Sequence, residues 1–226
     1  MTPCAGRYTG WITCGSGRVM TWTRTPSARK KRRIRRQIGA LPRRSVVLAE
    51  DETDLLLFPP LRAGWSKRGE VAKIWVSGRN ARRVIFGVMN VRTGTRLFVP
   101  REKGRSGDFR AFVAEVRSAY RGWHVALLLD EDPCHTAQAS QSAVEGMTLL
   151  WLPKRSPKLN PMDTLWGQGK DVVSANKQYT TIEEQVHRFL VHLCSLSDQE
   201  ALHTSGVLSK KFWLHGALSK LFCGPA

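Results

Sequence analysis

Three short apolar runs constrain this chain more than any other feature: "SVVLAEDET" (45–53), "HVALLLD" (124–130) and "MTLLWLP" (147–153). Each is too short for a core helix and has the length of a buried strand. Between the first and second runs, "KIWVSG" (73–78), "RRVIFGVMNV" (82–91) and "TRLFVP" (95–100) are separated by Gly, Asn and Arg, which predicts an antiparallel meander. "GDFRAFVAEVRSAYRG" (107–122) then changes period, with Phe109, Phe112, Val113, Val116 and Tyr120 on one helical stripe. A helix over "HTAQASQSAVEG" (135–146) leads into the third run.

Further on, Asn160 suits an N-cap and Pro161 the first helical position, which puts Asp163 in the first turn. Thr181 with Glu184, and Ser197 with Glu200, have the spacing of capping boxes that open two more helices. The order predicts an α/β fold: a mixed sheet, antiparallel meander plus parallel strands, flanked by helices. At 226 residues the chain supports one sizeable core. The expected organisation is a poorly ordered basic arm over 1–44, one domain over 45–215 and a tail over 216–226.

The formal charge of +18 says nothing about fold, but it makes a polyanion, nucleic acid above all, the expected partner. It is concentrated in "RTPSARKKRRIRRQIGALPRR" (24–44), which holds ten basic residues and no acid. Charges this dense repel, so the segment reads as weakly folded on its own. Arg32, Arg33, Arg35 and Arg36 are its candidate DNA contacts; a solvated basic helix or linker is the alternative. Five scattered cysteines without a C-x-x-C pair argue against a disulfide framework and a zinc ribbon, and point to a reducing compartment. No apolar run is long enough to cross a membrane.

Three acids occupy corresponding positions: Asp51 at the end of the first buried strand, Asp130 at the end of the second long apolar run, and Asp163 just inside the helix after the third. Open α/β sheets place their sites beyond strand ends, so these carboxylates can converge. Two carboxylates about 5 Å apart at an effective dielectric of about 20 repel by roughly 3 kcal/mol. A trio must therefore protonate or bind a cation, and oxygen ligands favour Mg²⁺ or Mn²⁺. The alternative for Asp163 alone is a favourable helix-dipole position, worth about 0.3–1 kcal/mol. A glycosidase with paired carboxylates explains neither the third acid nor the basic segment.

"LPKRSPKLNPMDTLW" (152–166) resembles the "LP-x-x-SP-x-LNP-x-E/D-x-x-W" signature of DDE transposases of the mariner superfamily, in particular their bacterial insertion-sequence branch. "VVLAEDETDLLLFPPLRAGWSKRGE" (46–70) resembles the segment of the first acid, and "HVALLLDEDPCHTA" (124–137) that of the second. The resemblance covers about residues 40–200, with the motifs in the family's order.

It implies an RNase H-like catalytic domain in which Asp51, Asp130 and Asp163 bind Mg²⁺ or Mn²⁺ and act on DNA at transposon ends, cleaving strands and joining them to a target. Glu52, Glu131 and Asp132 are neighbouring acids that assist or substitute, although a strand's alternation sends Glu52 to the face opposite Asp51. His135 matches the family's histidine after the second acid, as a contact to DNA or to a ligand carboxylate; a structural histidine is the alternative. Lys154, Arg155 and Lys158 would steady phosphates beside the site. Trp166, like Trp75, Trp123 and Trp151, reads as a core anchor.

Two departures stand out: the third acid is Asp where much of the branch has Glu, and no helix-turn-helix precedes Asp51. The expectation is a shortened transposase, with an inactive DNA-binding remnant as the alternative. Its expected partners are DNA, a second copy of the chain and a separate helix-turn-helix subunit, in the bacterial cytoplasm at the nucleoid.

Overall fold

A computed structural model describes residues 28–154 and 156–222. The expectations for residues 1–27, for Arg155 and for 223–226 lie outside the described residues. Helix α1 is Ala28–Gly39, followed by strands β1 (Ser45–Leu56), β2 (Arg82–Asn90) and β3 (Arg96–Arg101). Then come helix α2 (Ser106–Ala119), β4 (His124–Leu129), the short helices α3 (Pro133–Thr136) and α4 (Gln138–Ala143), and β5 (Thr148–Trp151). A 3₁₀ turn (Pro157–Leu159) leads into α5 (Pro161–Val173), α6 (Ile182–Ser195), α7 (Asp198–Thr204) and α8 (His215–Phe222).

Among the described residues the sheet has five strands in the order β3-β2-β1-β4-β5. β1, β2 and β3 form the antiparallel part, while β4 runs parallel to β1 and β5 parallel to β4. The expected mixed sheet is thus present, with the membership of its meander corrected. "KIWVSG" is not a strand: 57–81 form a long connection between β1 and β2 in which Trp75 is 87% exposed. Its partner role falls to β1 itself, which continues past its acids and pairs with β2 as far as Leu56↔Arg82. Thr53, Leu55 and Leu57 keep the alternation going on one face, so the acids interrupt the apolar run without ending the strand.

Alternation along the strands sorts the core into two layers. Val47, Ala49, Ile85, Met89, Ala126 and Leu128 pack under α5 and α6, whereas Val46, Leu48, Phe86, Val88, Leu127 and Leu129 pack under α2. Phe109, Phe112, Val113 and Val116 of α2 are buried, as their spacing predicts. The helix expected over 135–146 is broken at Ala137, whose extended backbone separates α3 from α4.

Two expectations about the chain ends are corrected. Residues 28–39 form a docked helix, not a poorly ordered arm, because Ile34 and Ile38 are buried against the first core layer. Burying two isoleucines stabilises by about 1.5–3 kcal/mol each, which outweighs like-charge neighbours costing about 0.2–0.5 kcal/mol apiece. Residues 216–222 belong to α8, which packs against α1, so they are no tail. Trp123 is 44% exposed with Arg44 over its ring, so it and Trp75 are not core anchors; Trp166 is buried as expected.

Candidate metal and nucleic-acid site

Asp51 sits within β1, directly opposite Gly87 of β2 and just past the last residue at which β1 pairs with β4, Ala49. It is therefore inside a strand and not at its end; what ends there is the parallel pairing. Beyond that point the neighbouring strand turns away at Asp130, the residue after Leu129. Asp51 and Asp130 share the parity of Ala49 and Leu128, the face under α5.

α5 is fixed to that face by three devices. The Asn160 side chain accepts from the Met162 amide, capping the helix, and its Nδ2 donates to the Glu50 carbonyl at 2.7 Å. Pro161 starts the helix where no amide donor is needed. Trp166 lies over Gly87 so closely that a Cβ there would fall 2.6 Å from the indole ring. The helix thus begins beside Glu50 and crosses the sheet at the row of Asp51, with Asp163 exposed in its first turn.

Asp51 feels the charges of both other aspartates, although the three do not gather their carboxylate oxygens within 4.8 Å of one another. Burial and the charges of Glu52, Asp130 and Asp163 hold the Asp51 carboxyl well above the ordinary carboxylate range. Asp130 is pulled the other way, since its Oδ1 lies 3.2 Å from His135 Nδ1 and accepts from the Asp132 amide at 3.0 Å. The described site includes a cation that sequence reasoning missed. Burial lowers the Lys170 ammonium, while the charges of Asp54, Asp163 and Asp51 counteract that shift. Lys170 is two turns beyond Asp163, and that helical spacing was the available signal.

The neighbouring acids divide. Glu131 lies between Lys30 of α1 at 2.7 Å and Lys154 at 3.3 Å, which together hold its carboxyl below the usual range. Asp132 caps α3 by accepting from the Cys134 amide. Glu52 points to the face away from Asp51, where it meets Cys134 and His135, as does the buried Glu50. Burial, chiefly, raises the Glu50 carboxyl, and the surrounding acids hold the His135 imidazole well above its ordinary value. His135 is buried against Phe109 and contacts Asp130.

The basic candidates divide between α1 and the loop before α5. Arg32, Arg33, Arg35 and Arg36 are exposed on α1, with Arg35 donating to the Trp213 carbonyl, and Lys30 joins that helix to Glu131 beside Asp130. Lys154 is exposed but ion-paired to Glu131, and Lys158 is exposed on the 3₁₀ turn.

Over 140 residues the chain is 25% identical to the uncharacterized 39 kDa protein of insertion element IS630 from Shigella sonnei, covering 60% of this chain and 41% of that protein. It is 31% identical over 84 residues to an uncharacterized protein of Sinorhizobium fredii, covering 37% and 58%. The chain thus spans about half the length of these relatives.

The solved Mos1 strand transfer complex superposes with a TM-score of 0.63 at 15% identity, covering 84% of this chain and 59% of that one. The Mos1 mariner catalytic domain gives 0.57 at 14%, covering 85% and 92%. This is a likeness of fold, that of RNase H-like transposase catalytic domains. The sequence model of the DDE superfamily endonuclease matches residues 46–185, more than half of the chain, and the chain belongs to that family.

Proposed function

We propose that this protein is a divalent-metal-dependent enzyme that cleaves DNA strands at transposon ends and joins them to target DNA, with Asp51, Asp130 and Asp163 as its metal-binding carboxylates. The observation that carries the reading is the raised carboxyl of Asp51, which burial first, and then the charges of Glu52, Asp130 and Asp163, make hard to ionise without a cation. The donor set is all oxygen, which suits Mg²⁺ or Mn²⁺. Bound there, such ions supply Lewis-acid polarisation of a phosphodiester and an activated oxygen nucleophile. Mos1 complexes with Mg and with Mn are among the similar structures, in line with that choice.

The chain's own residues have separable roles. His135 orients Asp130 through its Nδ1 contact. Lys158 and Lys154, with Arg155 between them in sequence, hold phosphates, as Arg32, Arg33 and Arg36 do from α1. Asn160 sets where Asp163 points. Partners in this reading are transposon-end and target DNA, a second copy of the chain and a helix-turn-helix unit, at the bacterial nucleoid.

The test is Mn²⁺-dependent nicking of supercoiled plasmid by the wild type and by Asp51→Asn, Asp130→Asn and Asp163→Asn. Each variant loses nicking while its circular dichroism is unchanged; a variant with full activity removes that residue from the site. Salt-sensitive DNA binding with no nicking by the wild type identifies an inactive remnant instead.

A further inference from the structure

On the face of β1 away from Asp51 lies a second set of donor atoms that the DNA chemistry does not use. His135 turns Nδ1 toward Asp130, at 3.2 Å from both its carbonyl and Oδ1. That leaves Nε2 facing Glu52 Oε2 at 3.2 Å and Glu50 Oε2 at 3.4 Å. Cys134 Sγ is 3.1 Å from Glu52 Oε1. One donor atom each from Glu52, Cys134 and His135 lies within 4.8 Å of the others. Ligands about 2.0–2.3 Å from a tetrahedral ion stand about 3.3–3.8 Å apart, so only small adjustments separate these atoms from coordination.

An independent observation points the same way. Both carboxylate oxygens of Glu50 and Nε2 of His135 are buried without a hydrogen-bond partner, and the two residues are each 1% exposed. The two stand at ion-pair distance, 3.4 Å, with no hydrogen bond between them. Unsatisfied buried polar atoms that face one another call for a bound species between them. The Asp130–His135 contact is also the arrangement that prepares a metal ligand: a carboxylate holds one ring nitrogen and leaves the other to coordinate.

We propose that Glu52, Cys134 and His135, with Glu50 as the adjacent fourth carboxylate, form a second metal site. It takes a borderline-soft divalent ion of the Zn²⁺ type. Sulfur, nitrogen and oxygen donors together select such an ion, whereas the all-oxygen set around Asp51 selects a hard one. Coordination displaces the thiol proton of Cys134 and the Nε2 proton of His135 to solvent, leaving a thiolate and a neutral imidazole on the ion. The site shares no ligand with the three aspartates and meets them through the Asp130–His135 contact.

Co²⁺ added to the full, metal-free chain provides the readout, because only a thiolate ligand produces a sulfur-to-cobalt charge-transfer band. The expected band saturates at about one ion per chain and is competed by Zn²⁺. It disappears in Cys134→Ser, persists in Asp51→Asn/Asp163→Asn, and needs about tenfold or more Co²⁺ in Glu52→Gln. The proposal is overturned if the folded wild type gives no band, if the band survives Cys134→Ser, or if it vanishes in Asp51→Asn/Asp163→Asn. Should Cys134→Ser fail to fold, an unchanged Co²⁺ affinity in Glu52→Gln overturns it equally.

Discussion

Asn160 joins two elements through one side chain: its Nδ2 donates to the Glu50 carbonyl at 2.7 Å while its Oδ1 caps α5 at Met162. The residue before Asp51 and the residue three before Asp163 are thereby held together. Asn160→Ala is expected to lose the cap, about 0.5–2 kcal/mol, and to orphan a buried carbonyl, about 1–3 kcal/mol. Asn160→Asp keeps the cap acceptor and loses only the donor. Urea denaturation of both variants separates the two contributions, and plasmid nicking should fall in both.

Asp51 makes stability depend on pH and metal together. Its folded carboxyl sits above the unfolded value, so the native state holds the proton more tightly than the unfolded chain does. In metal-free protein, stability from this group is therefore greatest below its unfolded pKa and declines as pH rises through the raised value. Asp51→Asn should consequently raise Tm at neutral pH without divalent ions, and should abolish the Tm increase that Mn²⁺ gives the wild type. Differential scanning fluorimetry across pH, with and without Mn²⁺, checks both signs. A variant that melts below the metal-free wild type contradicts the assignment.

Gly87 is where α5 meets the sheet. Gly87→Ala places a methyl group against Trp166 and Phe98, and such overpacking costs about 1–3 kcal/mol. Because Trp166 lies three residues after Asp163, the displacement should also weaken Mn²⁺ binding. The comparison is Mn²⁺-induced thermal stabilisation in this variant and in Gly107→Ala, whose site has open space.

α1 separates charge from packing. Replacing Arg32, Arg33 and Arg36 together with Ala should leave folding intact and flatten the salt dependence of DNA binding. The log–log slope should fall by about 0.9 for each phosphate no longer neutralised. Ile34→Ala should instead destabilise the fold by about 2–5 kcal/mol. Fluorescence anisotropy at several salt concentrations measures the first, and chemical denaturation the second.

Much of this was legible in the chain. The apolar runs named β1, β4 and β5, the stripe of Phe109 to Val116 named α2, and Asn160–Pro161 marked the start of α5. "KIWVSG" misled because a short apolar run shows propensity but not partnership, and the strand partner of β2 was the continuation of β1. The basic helix misled in the opposite direction: its charges were conspicuous, while Ile34 and Ile38 take effect only against a core assembled from distant segments. The acids of the candidate site were visible by position. Glu50, Cys134 and Lys170 were not, because what distinguishes them is the company they keep across the fold.

β1 carries Glu50, Asp51 and Glu52 in succession, and its pleat deals them to opposite faces. The two donor sets therefore share one stretch of backbone and one reading register. Substituting Asp51 or Glu52 removes a donor from one set only, although each acid's charge reaches the other set. Deleting or inserting one residue upstream of Glu50 within β1 would exchange the faces, turning Asp51 toward His135 and its neighbours toward Asp163. Length variation among working relatives should accordingly collect in the 57–81 connection and be excluded from 45–52, even where the side chains themselves differ.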